Sequence, residues 1–292
     1  MIRLILWSLV LVAFAGAAGT IGYRWVADRF AAPGPAEAPI VVVLPKGAGL
    51  GYIAESLAYH GAIADPLAFR LGVRIEGKAR DLKAGEYEIP AHANARQVMD
   101  LLVAGRTLVH KLAVPEGLTS AEIVALVAAN PVLGGEVGTV PAEGSLLPET
   151  YHVARGDDRA TLLDRMTAGM SETLARLWRD RAPDLPLDAP HAAVVLASIV
   201  EKETALASER PLIAGVFYNR LARGMPLQSD PTVVYALTGG AGPLGRALTR
   251  ADLNVDSPYN TYKFKGLPPG PIANPGLAAL EAVLRPTATD AL

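Results

Sequence analysis

Two glutamates, Glu201 and Glu203, close the apolar run of "PHAAVVLASIVEKETALASER". Unpaired carboxylates are costly to bury, so the depth of each decides what it can do. If one helix runs from 190 to 207, a step of 100° per residue from Leu196 gathers Ile199, Val200, Leu206 and Ala207 into one stripe. Glu203 then falls in the middle of it, at about 340°, whereas Glu201 falls at about 140° beside Ala197 and Ser198. The two point apart and cannot act as a pair. A carboxylic acid held against hydrocarbon keeps its proton more readily and can give it to a leaving oxygen, as a glycosidic general acid must. The same pattern suits a structural glutamate satisfied by Arg210 or Arg220. Glu201 reads as solvated or salt-bridged.

Other polar side chains gather in the segments that follow. Asn219, Gln228 and Asn260 are amides able to donate to and accept from acetamido and hydroxyl groups. Tyr259 and Tyr262 offer flat faces and phenols. Each also has a structural reading in capping, loop bracing or packing. Glu149 suits either substrate binding or the capping of a turn, with the turn favoured, and Asp230, followed by Pro231, reads as a helix cap rather than a catalytic acid.

The elements that must position these residues show in the spacing. A strand "IVVVLP" precedes a helix through Leu50, Ile53 and Leu57 that stops at Gly61. Asp65 caps a second helix with Pro66 in its first turn. "LKAGEYEIP" is a turn into a strand, and "NARQVMDLLVAG" a third helix ended by Gly105. "LPKGAGLGYIAESL" (44–57) is echoed by "VPEGLTSAEIVALV" (114–127), which is either a duplicated strand–helix unit or coincidence. The second copy carries a capping box, Thr119 to Glu122. From "GSLLPETYHV" onward the pattern is mainly helical, with helices starting at Asp158, Ser208 and Asp230. "SPYNTYKFKGLPPGPIANPG" is too rich in turn residues for a long helix.

Composition narrows the chemistry. The 292 residues suffice for two domains, with 51% hydrophobic and 19% charged residues and a net charge of −2. Nothing in that balance favours nucleic acid. With no cysteine, disulfides, thiolate metal sites and cysteine nucleophiles are excluded. The five histidines show no ligand spacing, so no metal site is expected.

At the N-terminus, "LILWSLVLVAFAGAAGTIG" (4–22) carries no charge and as a helix spans roughly 28 Å, about one bilayer core. It reads as an uncleaved anchor. A signal peptide cut at "AGAAGT" is the alternative. Arg3 and Arg24 oppose each other, so charge does not fix orientation. "AAPGPAEAP" (31–39) reads as a semi-extended linker.

In order, "GSLLPETY", "LASIVEKETALASER", "VFYNRL", "GMPLQSDPTVVY", "SPYNTY" and "GLPPGPIANPG" resemble the endolytic murein transglycosylases of the MltG (YceG-like) family. The likeness covers about residues 40–285. It implies an α+β chain with a transmembrane helix (1–23), a linker (24–39), a small LysM-like module (40–107) and a mainly helical, lysozyme-like catalytic domain with long loops (108–292). It implies cleavage of the β-1,4 bond between N-acetylmuramic acid and N-acetylglucosamine, giving 1,6-anhydro ends and terminating strand growth, without a cofactor. Glu203 matches the family's catalytic position, with Asn219, Gln228, Tyr259, Asn260 and Tyr262 around the substrate. Peptidoglycan strands, the bacterial inner membrane and the peptidoglycan synthases are the implied partners, with the body on the periplasmic or cell-wall side. The family continues past "LRPT" with an aromatic strand and a Gly-Gly-His segment that do not appear between "LRPT" and Leu292, a departure, whether truncation or a shortened natural end, that bears on the completeness of the core and of the cleft. Two readings compete with the transglycosylase. One is a hydrolysing muramidase, for which Glu149 or Asp230 would serve as second carboxylate. The other is a non-catalytic, membrane-held peptidoglycan-binding scaffold.

Overall fold

The computed structural model describes residues 2–292, with side chains from residue 6 onward. Met1 and the side chain of Arg3 lie outside the described residues. The chain is a mixed helix and sheet protein that divides into two compact units, one ending at Val109 and the other spanning His110–Leu292.

The first unit begins with α1 (Ile2–Ala31), which from Leu6 is long and apolar enough to cross a membrane. The helix runs past the expected end of the anchor at residue 23. Its last turns are not linker, because Val26 and Phe30 are buried and the Phe30 ring lies 6.2 Å from that of Phe69. The Pro/Ala segment that follows is also tied down. Gly34 N–H donates to the His92 carbonyl, and His92 N–H donates to that of Ala36. A Cβ on Gly34 would lie 2.2 Å from the Ala93 carbonyl oxygen, so only glycine fits there.

β1 (Ile40–Leu44) and β2 (Gly85–Ile89) pair antiparallel, with Ile40 opposite Ile89 and Leu44 opposite Gly85. Val42, Leu44, Tyr87 and Ile89 face the core while Val41 and Val43 stay exposed, the alternation that a two-sided strand requires. Three ten-residue helices cover this sheet: α2 (Leu50–Tyr59), α3 (Pro66–Ile75) and α4 (Ala95–Ala104). Their starts are encoded locally. Asp65 accepts from the N–H groups of Leu67 and Ala68, and Asn94 forms a capping box with Gln97. Such caps contribute about 1 kcal/mol each.

In the second unit β3 (Val109–Ala113), whose first residue closes the first unit, pairs with β4 (Thr150–Ala154). "TYHVA" is therefore a strand inside the region expected to be mainly helical. α5 (Ser120–Ala129) starts at the Thr119–Glu122 capping box. The echo noted between residues 44–57 and 114–127 has a structural counterpart. Each copy joins a five-residue strand to a ten-residue helix through a turn with a left-handed glycine, Gly47 or Gly117.

α6 (Arg159–Arg179) is capped by Asp158 and precedes α7 (Pro190–Glu203). Every residue of α7 from Ala193 to Glu201 is buried. A helix that is apolar on all sides belongs in the middle of a core. α8 (Arg210–Ala222) and α10 (Leu277–Leu284) pack on α7 and contribute Ala214, Phe217, Leu280 and Val283 to the same cluster. α9 (Asp230–Thr238) also touches α7, and the loops on either side of α9 carry the polar motifs.

Candidate active site

The structure changes the depth assigned to both glutamates. Helix α7 ends at Glu203, and Thr204 is extended (φ −144°, ψ 140°). Leu206 and Ala207 lie outside the helix and are exposed, so the stripe drawn through them does not exist. Glu203 is exposed as well, and hydrocarbon does not enclose it. The helix stops because the Thr204 hydroxyl accepts from Leu206 N–H at 3.0 Å and donates to Glu209 at 2.7 Å. That local turn competes with further helix.

Glu201 is the deeply placed carboxylate, 8% exposed. It accepts from Arg210 Nη2 at 2.6 Å and from Gly276 N–H at 3.0 Å. Arg210 also reaches Glu116 at 3.2 Å. Burial holds the Glu201 carboxyl above its ordinary range, opposed by the Gly276 N–H and the Arg210 charge. This ion pair joins the end of α7 to the start of α8 and to the "IANPG" loop.

Glu203 meets the loop before α9. Ser229, 1% exposed, donates its hydroxyl to Glu203 Oε1 at 2.5 Å. Behind it, Ser229 N–H donates to Thr261 Oγ1 at 3.0 Å, and Thr261 Oγ1 lies 2.8 Å from Thr232 Oγ1. Ser229, not Asp230, is the N-cap of α9. Asp230 is the first residue of the helix, and its carboxylate accepts from the Tyr262 phenol at 2.6 Å. That bond, with burial and the nearby Asp230 and Glu203 charges, pushes the Tyr262 phenol up to about 12 against the pull of Arg220. Gln228 sits in the left-handed region (φ 53°), its N–H donating to the Thr261 carbonyl. Its side chain is exposed, next to the serine that touches Glu203.

Asp230 also lines a cavity of about 310 Å³, together with Lys202, Thr119, Glu122, Val234 and Tyr235. Glu203 is bracketed by two of these residues: Lys202 precedes it, and Asp230 follows its serine partner. An exposed carboxylate, an oriented hydroxyl and a mostly apolar hollow with a few polar groups on its wall can hold a polar, ring-shaped ligand and exchange a proton with it.

The remaining sequence candidates are placed elsewhere or already engaged. Asn260 is fully buried. Its Nδ2 donates to the carbonyls of Leu253 and Val255, and its Oδ1 accepts from Tyr262 N–H. No part of that amide is left for a ligand, so Asn260 shapes the loop that presents Tyr262. Asn219 donates to the carbonyls of Thr289 and Ala291 and braces the C-terminal segment. Tyr259 packs its ring 4.8 Å from that of Tyr235, backing a wall of the cavity. Glu149 lines a different hollow, of about 560 Å³, with Glu116, Glu172 and Arg176.

Three participants escaped sequence reasoning. Ser229, Thr261 and Asn274 are small polar residues in loops, and nothing in their spacing marks them. Asn274 is buried. It accepts from Leu146 N–H and donates to Leu118, Ser120 and Glu143, stitching "IANPG" to the "GSLLPETY" and "VPEGLTS" turns.

Fold and site together describe a two-unit chain of mixed helix and sheet with an N-terminal apolar helix and a glutamate presented at a helix end beside a cleft. A profile of the YceG-like family matches residues 42–292. A protein of Streptococcus pneumoniae named endolytic murein transglycosylase is 30% identical over 97% of this chain, which spans 59% of that relative's length. One of the same name from Bacillus subtilis is 31% identical over 85% of this chain and 76% of its own length. The crystal structure of a yceG-like protein of Listeria monocytogenes superimposes with a TM-score of 0.55 at 33% identity, covering 86% of this chain and 91% of that one. The chain belongs to the YceG-like family.

Proposed function

We propose that this chain is an endolytic peptidoglycan lytic transglycosylase with Glu203 as its acid and base. The observation that carries the reading is Glu203 itself, exposed at the end of a rigidly buried helix, oriented by Ser229, in a family whose named relatives are murein transglycosylases.

Glu203 gives its proton to the oxygen bridging N-acetylmuramic acid and N-acetylglucosamine. The C1–O4 bond breaks through an oxocarbenium-like state. The carboxylate left behind takes the proton from the muramyl C6 hydroxyl, whose oxygen bonds to C1 and closes the 1,6-anhydro ring. No water is consumed, and Glu203 returns to its starting form. Positioned proton transfer supplies roughly 10²–10⁴ in rate, and holding the sugar in reactive geometry supplies much of the rest. Since Glu203 is not enclosed by hydrocarbon, the exclusion of water that favours the neutral acid comes from the glycan lying over the site.

Gln228 and Tyr262 flank the reacting glutamate and contact the sugars, with Lys202 and Asp230 on the cleft wall. Asn219, Asn260 and Tyr259 act behind them as braces. The first unit serves as a LysM-like glycan-binding module, the second is lysozyme-like in layout, and α1 holds both at the outer face of the bacterial inner membrane. There strand cleavage would end the growth of new strands laid down by the synthases.

A hydrolysing muramidase is the second reading, favoured by one observation: Asp230, a second carboxylate, follows the serine bonded to Glu203. Full-length protein incubated with sacculi, and the products weighed by mass spectrometry, separates the two. Anhydro-muramyl ends support the transglycosylase and reducing ends the hydrolase. Glu203→Gln keeps the shape and removes the exchangeable proton, so product release close to that of the unaltered protein would refute both.

A further inference from the structure

The hydroxyls behind Glu203 leave almost no freedom in where their protons go. Thr232 Oγ1 donates to the Ser229 carbonyl at 2.7 Å. A threonine hydroxyl carries one proton, so in the 2.8 Å contact between Thr232 and Thr261 the donor is Thr261. Thr261 Oγ1 in turn accepts from Ser229 N–H at 3.0 Å, and the Thr261 carbonyl accepts from Gln228 N–H at 3.1 Å. The closed ring clamps the backbone of Ser229 on both sides. Ser229, Thr232 and Thr261 are all at most 1% exposed, so water does not compete for these bonds. Ser229 has one hydroxyl proton, and it goes to Glu203 Oε1. Among the described residues, Glu203 Oε2 has no partner.

We propose that Ser229, locked by the Thr232–Thr261 pair, is a positioning residue for the reaction. By holding Oε1 it fixes the carboxyl plane of an otherwise exposed glutamate and assigns Oε2 as the oxygen that exchanges protons with the glycan. A glutamate at a helix end, free on its solvent side, would otherwise sample several rotamers. Only some of these place an oxygen within the 2.6–3.2 Å (roughly) that proton transfer needs. Ser229 does not touch the sugar. Tyr262, which feels the charges of Glu203 and Arg220, spends its hydroxyl proton on Asp230, and Arg220 donates to the Leu227 carbonyl, so neither stands in for the serine as donor to Oε1; Lys202 and Asp230 occupy the adjoining positions.

The inference rests on the transglycosylase reading, and the experiment keeps the two apart. Full-length wild type, Ser229→Ala, Ser229→Thr, Thr261→Val and Glu203→Gln are compared on sacculi, and melting is followed in parallel. Losing one charge-assisted hydrogen bond should lower kcat for Ser229→Ala by about 10- to 100-fold. KM should stay within about twofold and Tm close to wild type, because a positioning role shows in turnover and not in binding. Ser229→Thr keeps the hydroxyl and should recover most of the rate, and Thr261→Val should give an intermediate loss. In the Glu203→Gln background, Ser229→Ala should cost nothing more. If Ser229→Ala melts early, Thr261→Val and Ser229→Thr still decide the matter. The proposal is overturned if Ser229→Ala turns over within about threefold of wild type, if its loss appears in KM, or if threonine does not rescue it. Wild type that releases no fragments overturns the functional reading and this inference together. An active wild type and a dead Glu203→Gln beside a normal Ser229→Ala overturn the inference alone.

Discussion

Replacing Arg210 by methionine should destabilise the second unit by an amount that depends on pH. Arg210 is 5% exposed and lies 2.6 Å from a Glu201 that is itself buried. Methionine fills most of the space but leaves the carboxylate with only the Gly276 N–H among its present partners. Glu116, the other partner of Arg210, has a side chain 41% exposed, and an exposed pair contributes little. Removing one member of a buried pair costs about 3–5 kcal/mol. For a unit of this size each kcal/mol lowers Tm by about 2–4 °C, so the expected fall near neutral pH is roughly 6–20 °C.

The pH dependence follows from the direction of the Glu201 shift. Burial already holds its carboxyl above the ordinary range, against the Gly276 N–H and Arg210, so the folded state binds this proton more tightly than the unfolded chain. The contribution to stability is then whole below the ordinary carboxylate range and declines as pH climbs through the folded value. Without the guanidinium that value rises further, and the decline is larger. The deficit of Arg210→Met against wild type should therefore be small at about pH 4 and largest above about pH 7. Thermal melts across that range check it, and adding Glu201→Gln should restore most of the loss by removing the orphaned charge. A fall of less than about 2 °C at neutral pH, or a deficit that does not shrink in acid, would refute the argument.

Two further outcomes are expected. Tyr262→Phe removes the donor to Asp230. Because the Tyr262 phenol holds its proton up to about 12, the variant should lower the rate on sacculi without changing the shape of the pH–rate curve between about pH 6 and 9. An alkaline limb present in wild type and missing in the variant would contradict this. Asn274→Ala should leave the Leu146 N–H without its partner and take a donor from Ser120 and from Glu143, while the Leu118 carbonyl keeps the N–H of residue 274, costing about 2–4 kcal/mol. Tm should then fall by roughly 5–15 °C, and a melt within 2 °C or so of wild type would show that the stitch is dispensable.

Local signals were legible and depth was not. Asp65, Asn94, Thr119 and Asp158 cap the helices that their spacing announces, because a cap is a bond between residues two or three apart. The exposure of Glu203 is hidden from a helical wheel for a specific reason. A wheel sets it among hydrocarbon only if the helix runs on through Leu206 and Ala207, whereas the helix stops at Glu203 where Thr204 turns its hydroxyl back on the chain. An Asp–Pro step so often caps a helix that Asp230 reads as one, yet Ser229 holds that position and its hydroxyl is spent on Glu203. Asn260 looked like a ligand amide, but its partners, Leu253 and Val255, are backbone carbonyls in a loop that sequence reasoning cannot fold. Ser229 and Thr261 meet across 32 residues, beyond any local pattern.

The two glutamates leave the same helix in different settings, Glu201 buried and paired and Glu203 exposed, and on the proposed reading they do different work. α7 is enclosed on every side, so it cannot rotate to adjust its last residue, and Glu203 emerges wherever the core dictates. Glu201, two residues earlier and buried, binds the start of α8 through Arg210 and the "IANPG" loop through Gly276. Those two connections close the ring of segments around the helix end. A buried ion pair is a poor source of stability compared with hydrocarbon, so its use at this point is better understood as a device for register. It admits one arrangement of α7, α8 and the loop, and thereby one position for the carboxylate two residues on. On this view replacing Glu201 and Arg210 together by apolar residues of similar volume preserves folding more readily than turnover, a dissociation that a simple packing role for the pair does not produce.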